Sequence, residues 1–111
     1  MAAPVIITRR DSALKGFVVS MLDLSTAHLT PETIRRLNLR DEELDSCITI
    51  YEKGEFGWYI AVPERQYFLP EEVEGIPDEL LEILKLAVKN DIDWIMFDCD
   101  ANRLPVLPTF E

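Results

Sequence analysis

The chain predicts an α+β fold of the ferredoxin-like, split βαβ type: a four-stranded antiparallel sheet with two helices on one face, an N-terminal arm and an extended C-terminal tail. Three observations point there. Apolar runs and helical signals alternate in the order β-α-β-β-α-β. A glycine-bearing loop, Lys53-Gly54-Glu55-Phe56-Gly57, separates two of the runs as a hairpin would. The closing run, Trp94 to Asp100, is apolar, alternating and bounded by acids and Asn102. Right-handed crossovers around that hairpin give the sheet order 4-1-3-2. A meandering antiparallel sheet of the same elements is the alternative.

Each element has a local reason. Residues 1–15 read as an arm, with Pro4 to Thr8 as an edge strand within it, and Phe17 to Asp23 as the first strand proper. After a connector over residues 24–29, Thr30-Pro31-Glu32 opens a helix. Thr30 is a capping hydroxyl, Pro31 suits the first helical position, and Glu32 meets the positive end of the dipole. Arg35, Arg36 and Arg40 suit its far end. Asp41 to Asp45 is an acidic connector or one further helical turn. Cys47 to Glu52 and Trp58 to Val62 are the hairpin strands, and Pro63 to Ile76 is a long acidic loop. Pro77 to Lys89 is the second helix, with Leu80, Leu81, Ile83, Leu84, Ala87 and Val88 at helical spacing and Asn90 in the left-handed cap. The tail from residue 101 is spaced by Pro105 and Pro108, and its Phe110, like Trp94, is expected to be buried.

Length and composition bound the rest. At 111 residues the chain is a single domain over 1–111, and 48% apolar with 29% charged residues is a globular composition. No apolar run approaches the length of a membrane helix or a signal core. Two cysteines, Cys47 and Cys99, are too few for a disulfide framework, which fits a reducing, cytoplasmic setting. Twenty-one acids against eleven bases give a net charge of −10. Residues 1–55 carry −2 of it and residues 56–111 carry −8. Such a field repels nucleic acid and anionic lipid and attracts basic surfaces; ordinary solubility charge is the bland account of the same number.

The candidate chemistry is thin. In the predicted order, Asp23 and His28 lie at one end of the sheet and Asp98 and Asp100 at the other, which separates them as metal ligands. Cys47 and Cys99 fall on opposite edge strands, roughly 14 Å apart at sheet spacing. His28 is the lone histidine, so any Ser-His or Cys-His catalysis would need it; the plainer role is to order the turn before the first helix through hydrogen bonds to backbone. With four glycines, the chain has no phosphate loop and no dinucleotide fingerprint, and no cofactor is expected. Alternation places Tyr51, Tyr59, Trp94 and Met96 on an outer sheet face. Aromatics there stack bases in some RNA-binding domains, but the basic surface such binding needs is missing, and cover by the tail or by a second subunit is the better account.

Leu24-Ser25-Thr26-Ala27-His28-Leu29-Thr30-Pro31, Gly57-Trp58-Tyr59-Ile60-Ala61-Val62, Trp94-Ile95-Met96-Phe97-Asp98-Cys99-Asp100 and the closing Leu104 to Glu111 together resemble a family of short uncharacterised bacterial proteins. The resemblance implies carriage on plasmids and integrative elements, and it gives no activity from which a catalytic role could be carried over. The resulting expectation is a non-enzymatic acidic binding protein. It would act as an inhibitor or DNA mimic on a basic, nucleic-acid-handling partner, without binding nucleic acid or membrane itself. Glu71, Glu72, Glu74, Asp78, Glu79, Glu82, Asp98 and Asp100 would form the acidic surface, with Asp41, Glu42, Glu43 and Asp45 entering from the other connector. The alternatives are a homodimeric structural or regulatory module joined through Tyr51, Tyr59, Trp94 and Met96, and a small enzyme or ligand binder using His28.

Overall fold

In the computed structural model, residues 12–14, 16–64 and 68–110 are described. The arm expected over residues 1–15 lies outside them, apart from a 3-10 turn at Ser12–Leu14. The elements that follow are β1 (Met21–Ser25), a 3-10 turn (Thr26–His28), α1 (Pro31–Asn38), α2 (Glu42–Cys47), β2 (Ile50–Lys53), β3 (Gly57–Ala61), α3 (Pro70–Val73), α4 (Asp78–Lys89) and β4 (Trp94–Asp98). The class is α+β as predicted, and the described residues form a four-stranded sheet and four α-helices where two helices were expected.

The strand order is β1-β4-β3-β2, and this departs from the predicted one. β4 pairs in parallel with β1 and antiparallel with β3, so the sheet is mixed. β4 does not close the outer edge; it inserts between β1 and β3. The short return from α4 explains why. Val62 N–H donates to Asp93 O at 2.9 Å, which lays β4 against β3 at once. β1 therefore becomes an edge. Its start also moves: β4 begins at Trp94, opposite Met21, so Phe17, Val18 and Val19 overhang without a β4 partner and stand exposed. Ser20 anchors the overhang, its backbone N–H donating to Asp93 Oδ2 at 2.9 Å and its hydroxyl to Asp91 O at 3.0 Å.

Local signals hold well where the chain is helical. Thr30 caps α1, its hydroxyl accepting from Thr33 N–H, and Pro31 is the first residue of the helix. The acidic connector is a helix, α2, because Asp41 accepts from the amides of Glu43 and Leu44. That places Cys47 at the end of a helix instead of in a strand. Within the long acidic loop, Pro70 opens the single turn of α3. After α4 the left-handed residue is Asp91, with φ 56°, one place beyond Asn90. Asn90 instead donates its side-chain amide to Leu86 O at 2.8 Å.

Cross-strand register divides the sheet's faces. Ile50, Ile60, Ile95 and Leu22 form one row, and Trp58, Phe97 and Leu24 another. Both rows look toward the helices and join a single core with Leu37, Leu44, Leu80, Ile83, Leu84 and Ala87. The opposite face carries Tyr51, Tyr59, Met96 and Asp23 in one row, and Ala61, Trp94 and Met21 in the next. Trp94 is half-buried, its ring tilted against Tyr51 with centroids 6.0 Å apart. Phe110 is also half-buried.

Gly57 sits where β3 passes closest to β4. A Cβ built there would lie 1.6 Å from Phe97 O, and no side-chain rotation relieves a clash between two backbones. We expect Gly57→Ala to cost about 3 kcal/mol or more, at the upper end for an overpacked interior. Urea denaturation would read this as a lowered midpoint at constant slope, and a midpoint within experimental scatter of the parent would show that the two strands separate freely.

Candidate functional site

The real topology regroups the predicted residues. Ser25 pairs with Asp98 in register, so β1 and β4 exit at the same end of the sheet. His28, Asp98 and Asp100 therefore share that end, with Asp23 further back along β1, so opposite ends no longer keep them apart. What separates them chemically is prior commitment. His28 is 1% exposed. Its Nε2 accepts the N–H of Leu104 at 2.8 Å. Its Nδ1 meets Pro108 O at 2.9 Å, and because a carbonyl only accepts, Nδ1 carries the proton. His28 does bond to backbone, as expected, but to a tail some eighty residues away, and neither nitrogen is left for a substrate.

Asp98 is equally engaged. Lys53, Gly57 and Asp98 lie in one row across three strands. With no side chain at Gly57, the Lys53 ammonium reaches across β3 to Asp98 Oδ2 at 2.7 Å. Asp98 Oδ1 accepts the N–H of Asp100 at 2.8 Å. Lys53 foremost, and then that amide, hold the Asp98 carboxyl below the usual aspartate value. Asp98, Cys99 and Asp100 bring three ligand-type atoms within 4.8 Å of one another, yet the lysine already occupies the innermost carboxylate. Cys47 and Cys99 are both free thiols.

The eight acids proposed as a surface split in two. Glu79 is structural: its Oε2 accepts from Thr30 N–H at 2.8 Å and from the Thr33 hydroxyl at 2.6 Å. Burial works against its charge, but the two donors outweigh burial and hold its pKa below the usual glutamate value. Asp98 is tied to Lys53, and Glu82 lies 4.0 Å from Lys85. Glu71, Glu72, Glu74 and Asp78 remain exposed, with no cationic partner among the described residues. They fall in one stretch of chain, from α3 to the start of α4. Asp100 is exposed too, at the exit of β4.

Sequence reasoning missed the residue that shapes this ridge. Arg36, on α1, donates to Gly75 O at 3.0 Å and to Asp41 Oδ2 at 3.2 Å, and its guanidinium lies 3.6 Å from Glu43 Oε1. It pins the ridge's end to α1 and α2 while neutralising Asp41 and Glu43. Arg36 and then the Leu44 amide hold the Asp41 carboxyl below its ordinary value. A Cβ at Gly75 would sit 2.7 Å from Glu43 Cγ, so a larger residue there would displace the Glu43 side chain. The neighbouring signals were a helix-terminal arginine and a loop glycine, neither of which says what it will touch.

The Asp98 carboxylate gives a pH test. A lowered folded-state value means that its contribution is present above the unfolded value, about 3.9 for aspartate, and fades as pH falls through the folded value. Asp98→Asn should therefore be less stable than the parent at neutral pH, and the two should converge as the pH falls through the lowered folded-state value of Asp98. Melting curves taken across that range decide it; a gap independent of pH would assign the loss to packing instead of charge.

No curated protein and no solved structure matches the chain. Among the described residues, no helix is long and apolar enough to cross a membrane. Residues 21–111, which run from the first residue of β1 through the tail tied to His28, match the C-terminal domain of a family of unknown function (DUF5983), and the chain belongs to that family.

Proposed function

We propose that this chain is a protein-binding module that offers an acidic ridge to a basic surface, acting as an inhibitor or DNA mimic on a nucleic-acid-handling partner. One observation carries the reading. Glu71, Glu72, Glu74 and Asp78 stand exposed on one short stretch without cationic partners among the described residues, while seven ion pairs absorb acids elsewhere. Other exposed acids, among them Glu55 and Asp91, also lack an ion pair among the described residues, but these four fall in one short acidic run. A run of exposed carboxylates offers a basic partner what a run of phosphates offers it. The mobile-element setting implied by the sequence resemblance belongs to this reading. Catalysis through His28 is disfavoured, because both of its nitrogens are bonded to backbone.

Binding of this kind weakens with salt, because exposed charges are screened within about 8–10 Å. Replacing Glu71, Glu72 and Glu74 by Gln should release a captured partner at lower salt while leaving the melting curve unchanged. An affinity indifferent both to salt and to the triple substitution would defeat the ridge.

The open sheet face favours a second reading, a homodimer. Tyr51 is 56% and Met21 44% exposed, and Tyr59, Trp94 and Met96 lie on the same face. Met96→Glu places a charge in the middle of that face. If copies associate through it, light scattering should show the parent at twice the mass of the variant; equal masses would leave the face unpaired.

A further inference from the structure

We propose that His28 is an acid-sensitive catch that holds the C-terminal strap closed over α4 when neutral and releases it when protonated. The strap, residues 104–110, is fastened at three points. Leu104 N–H donates to His28 Nε2, His28 Nδ1–H donates to Pro108 O, and Phe110 N–H donates to Ala27 O at 2.7 Å. A single buried ring makes two of the three. The strap closes on itself through Leu107 N–H to Leu104 O at 3.0 Å, and Leu104 and Leu107 pack on the core. Between strap and helix runs a groove of about 570 Å³ lined by His28, Ile83, Leu86, Val106 and Leu107 among others.

The catch works because its two partners are backbone groups of fixed polarity. Leu104 N–H has no choice but to donate, so Nε2 must keep its lone pair. Protonation turns Nε2 into a second donor facing the first at 2.8 Å; one bond is lost and a repulsion replaces it. An imidazole is the side chain that makes this change between about pH 5 and pH 8. The closed strap has no place for the proton and the open one does, so acid favours opening.

The charged groups around the ring do not supply a substitute partner. From α4 the groove receives Glu79, Glu82, Lys85 and Lys89. Glu79 is held by Thr30 and Thr33, and Glu82 lies beside Lys85. The strap itself has no charged side chain between Leu104 and Phe110, and Arg103 only precedes it. On β1 the one acid, Asp23, points to the other face of the sheet. Neither glutamate restores the lost acceptor, because each is already engaged. Opening would bare Leu104, Leu107, Ile83 and Leu86, converting a covered groove into an apolar surface.

The test uses the whole chain. Elastase cleavage of the Val106–Leu107 bond is followed at about pH 7.5 and about pH 5.5, and the amide resonance of Leu104 is followed through the same range beside the His28 ring signals. His28→Gln keeps a neutral oxygen for Leu104 N–H and cannot take up the proton. We expect strap cleavage in the parent, normalised to His28→Gln at each pH, to rise about fivefold on acidification, the loss of one ordinary hydrogen bond. The Leu104 amide should move together with protonation of the ring. Equal pH dependence in parent and variant would overturn the catch. If His28→Gln does not fold, the parent's resonances decide alone: a Leu104 amide that stays put while the His28 ring titrates sinks the proposal.

Discussion

Burial of β4 along both of its edges is the constraint on which the rest depends. Ile95 and Phe97 are fully excluded from water, and each contributes about 1.5–3 kcal/mol by leaving it. A strand with neighbours on both sides must satisfy one in parallel and one in antiparallel sense here, because β1 and β3 run in opposite directions. The parallel neighbour fixes where the chain leaves β1, beside the exit of β4. The antiparallel neighbour fixes the tight return from α4. Since that return is short, α4 has to lie on the same face as α1 and α2. Among the described residues the other face carries no helix, and its aromatic rows follow from that.

Polar contacts of long sequence separation then hold the helical layer in place. Glu79 of α4 takes the first-turn donors of α1, Arg36 of α1 takes Gly75 and Asp41, and His28 takes the tail. Each joins segments that propensity alone leaves independent. Hydrogen bonds to charged groups are worth roughly 1.5–3 kcal/mol when one partner is partly buried, comparable to one core side chain. These contacts also divide the acids into two kinds. Those that cap, brace or pair contribute to stability and little to the outside field, whereas those of α3 and the start of α4 remain available to a partner.

Much of the local structure was legible in the sequence. Thr30-Pro31-Glu32 and the proline-led, acid-rich start of α4 announce helices through capping and dipole chemistry, and Lys53 to Gly57 announces its hairpin. The outer-face grouping of Tyr51, Tyr59, Trp94 and Met96 also comes through, because alternation in a strand survives any reordering of strands. The order itself did not come through. A β-α-β-β-α-β string is compatible with β4 at the outer edge or in the middle, and no residue in Trp94 to Asp98 distinguishes the two. The swap brought His28 and Asp98 to one end, where the predicted order had set them apart. Exposure of Phe17 to Val19 was hidden for a related reason: an apolar run reads as strand whether or not its neighbour is long enough to pair with it. The bond partners of Arg36 and Glu79 were illegible, since both depend on a helix packing that only the finished sheet defines.

The two surfaces that remain differ in the physics by which they would bind. On the sheet face, Lys53 and Asp98 cancel one another across Gly57, so what is left is largely tyrosine, tryptophan and methionine around the single carboxylate of Asp23. Its attraction for a partner comes from removing apolar area from water, and salt strengthens such contacts or leaves them alone. On the ridge the attraction is Coulombic, acts before contact and speeds encounter, and salt weakens it. A chain of net charge −10 repels a second copy of itself, and that repulsion is least where charges cancel internally. If both proposed modes hold, charge pairing favours the sheet face for self-association and the ridge for an oppositely charged partner, and the two would not compete because the surfaces share no residue.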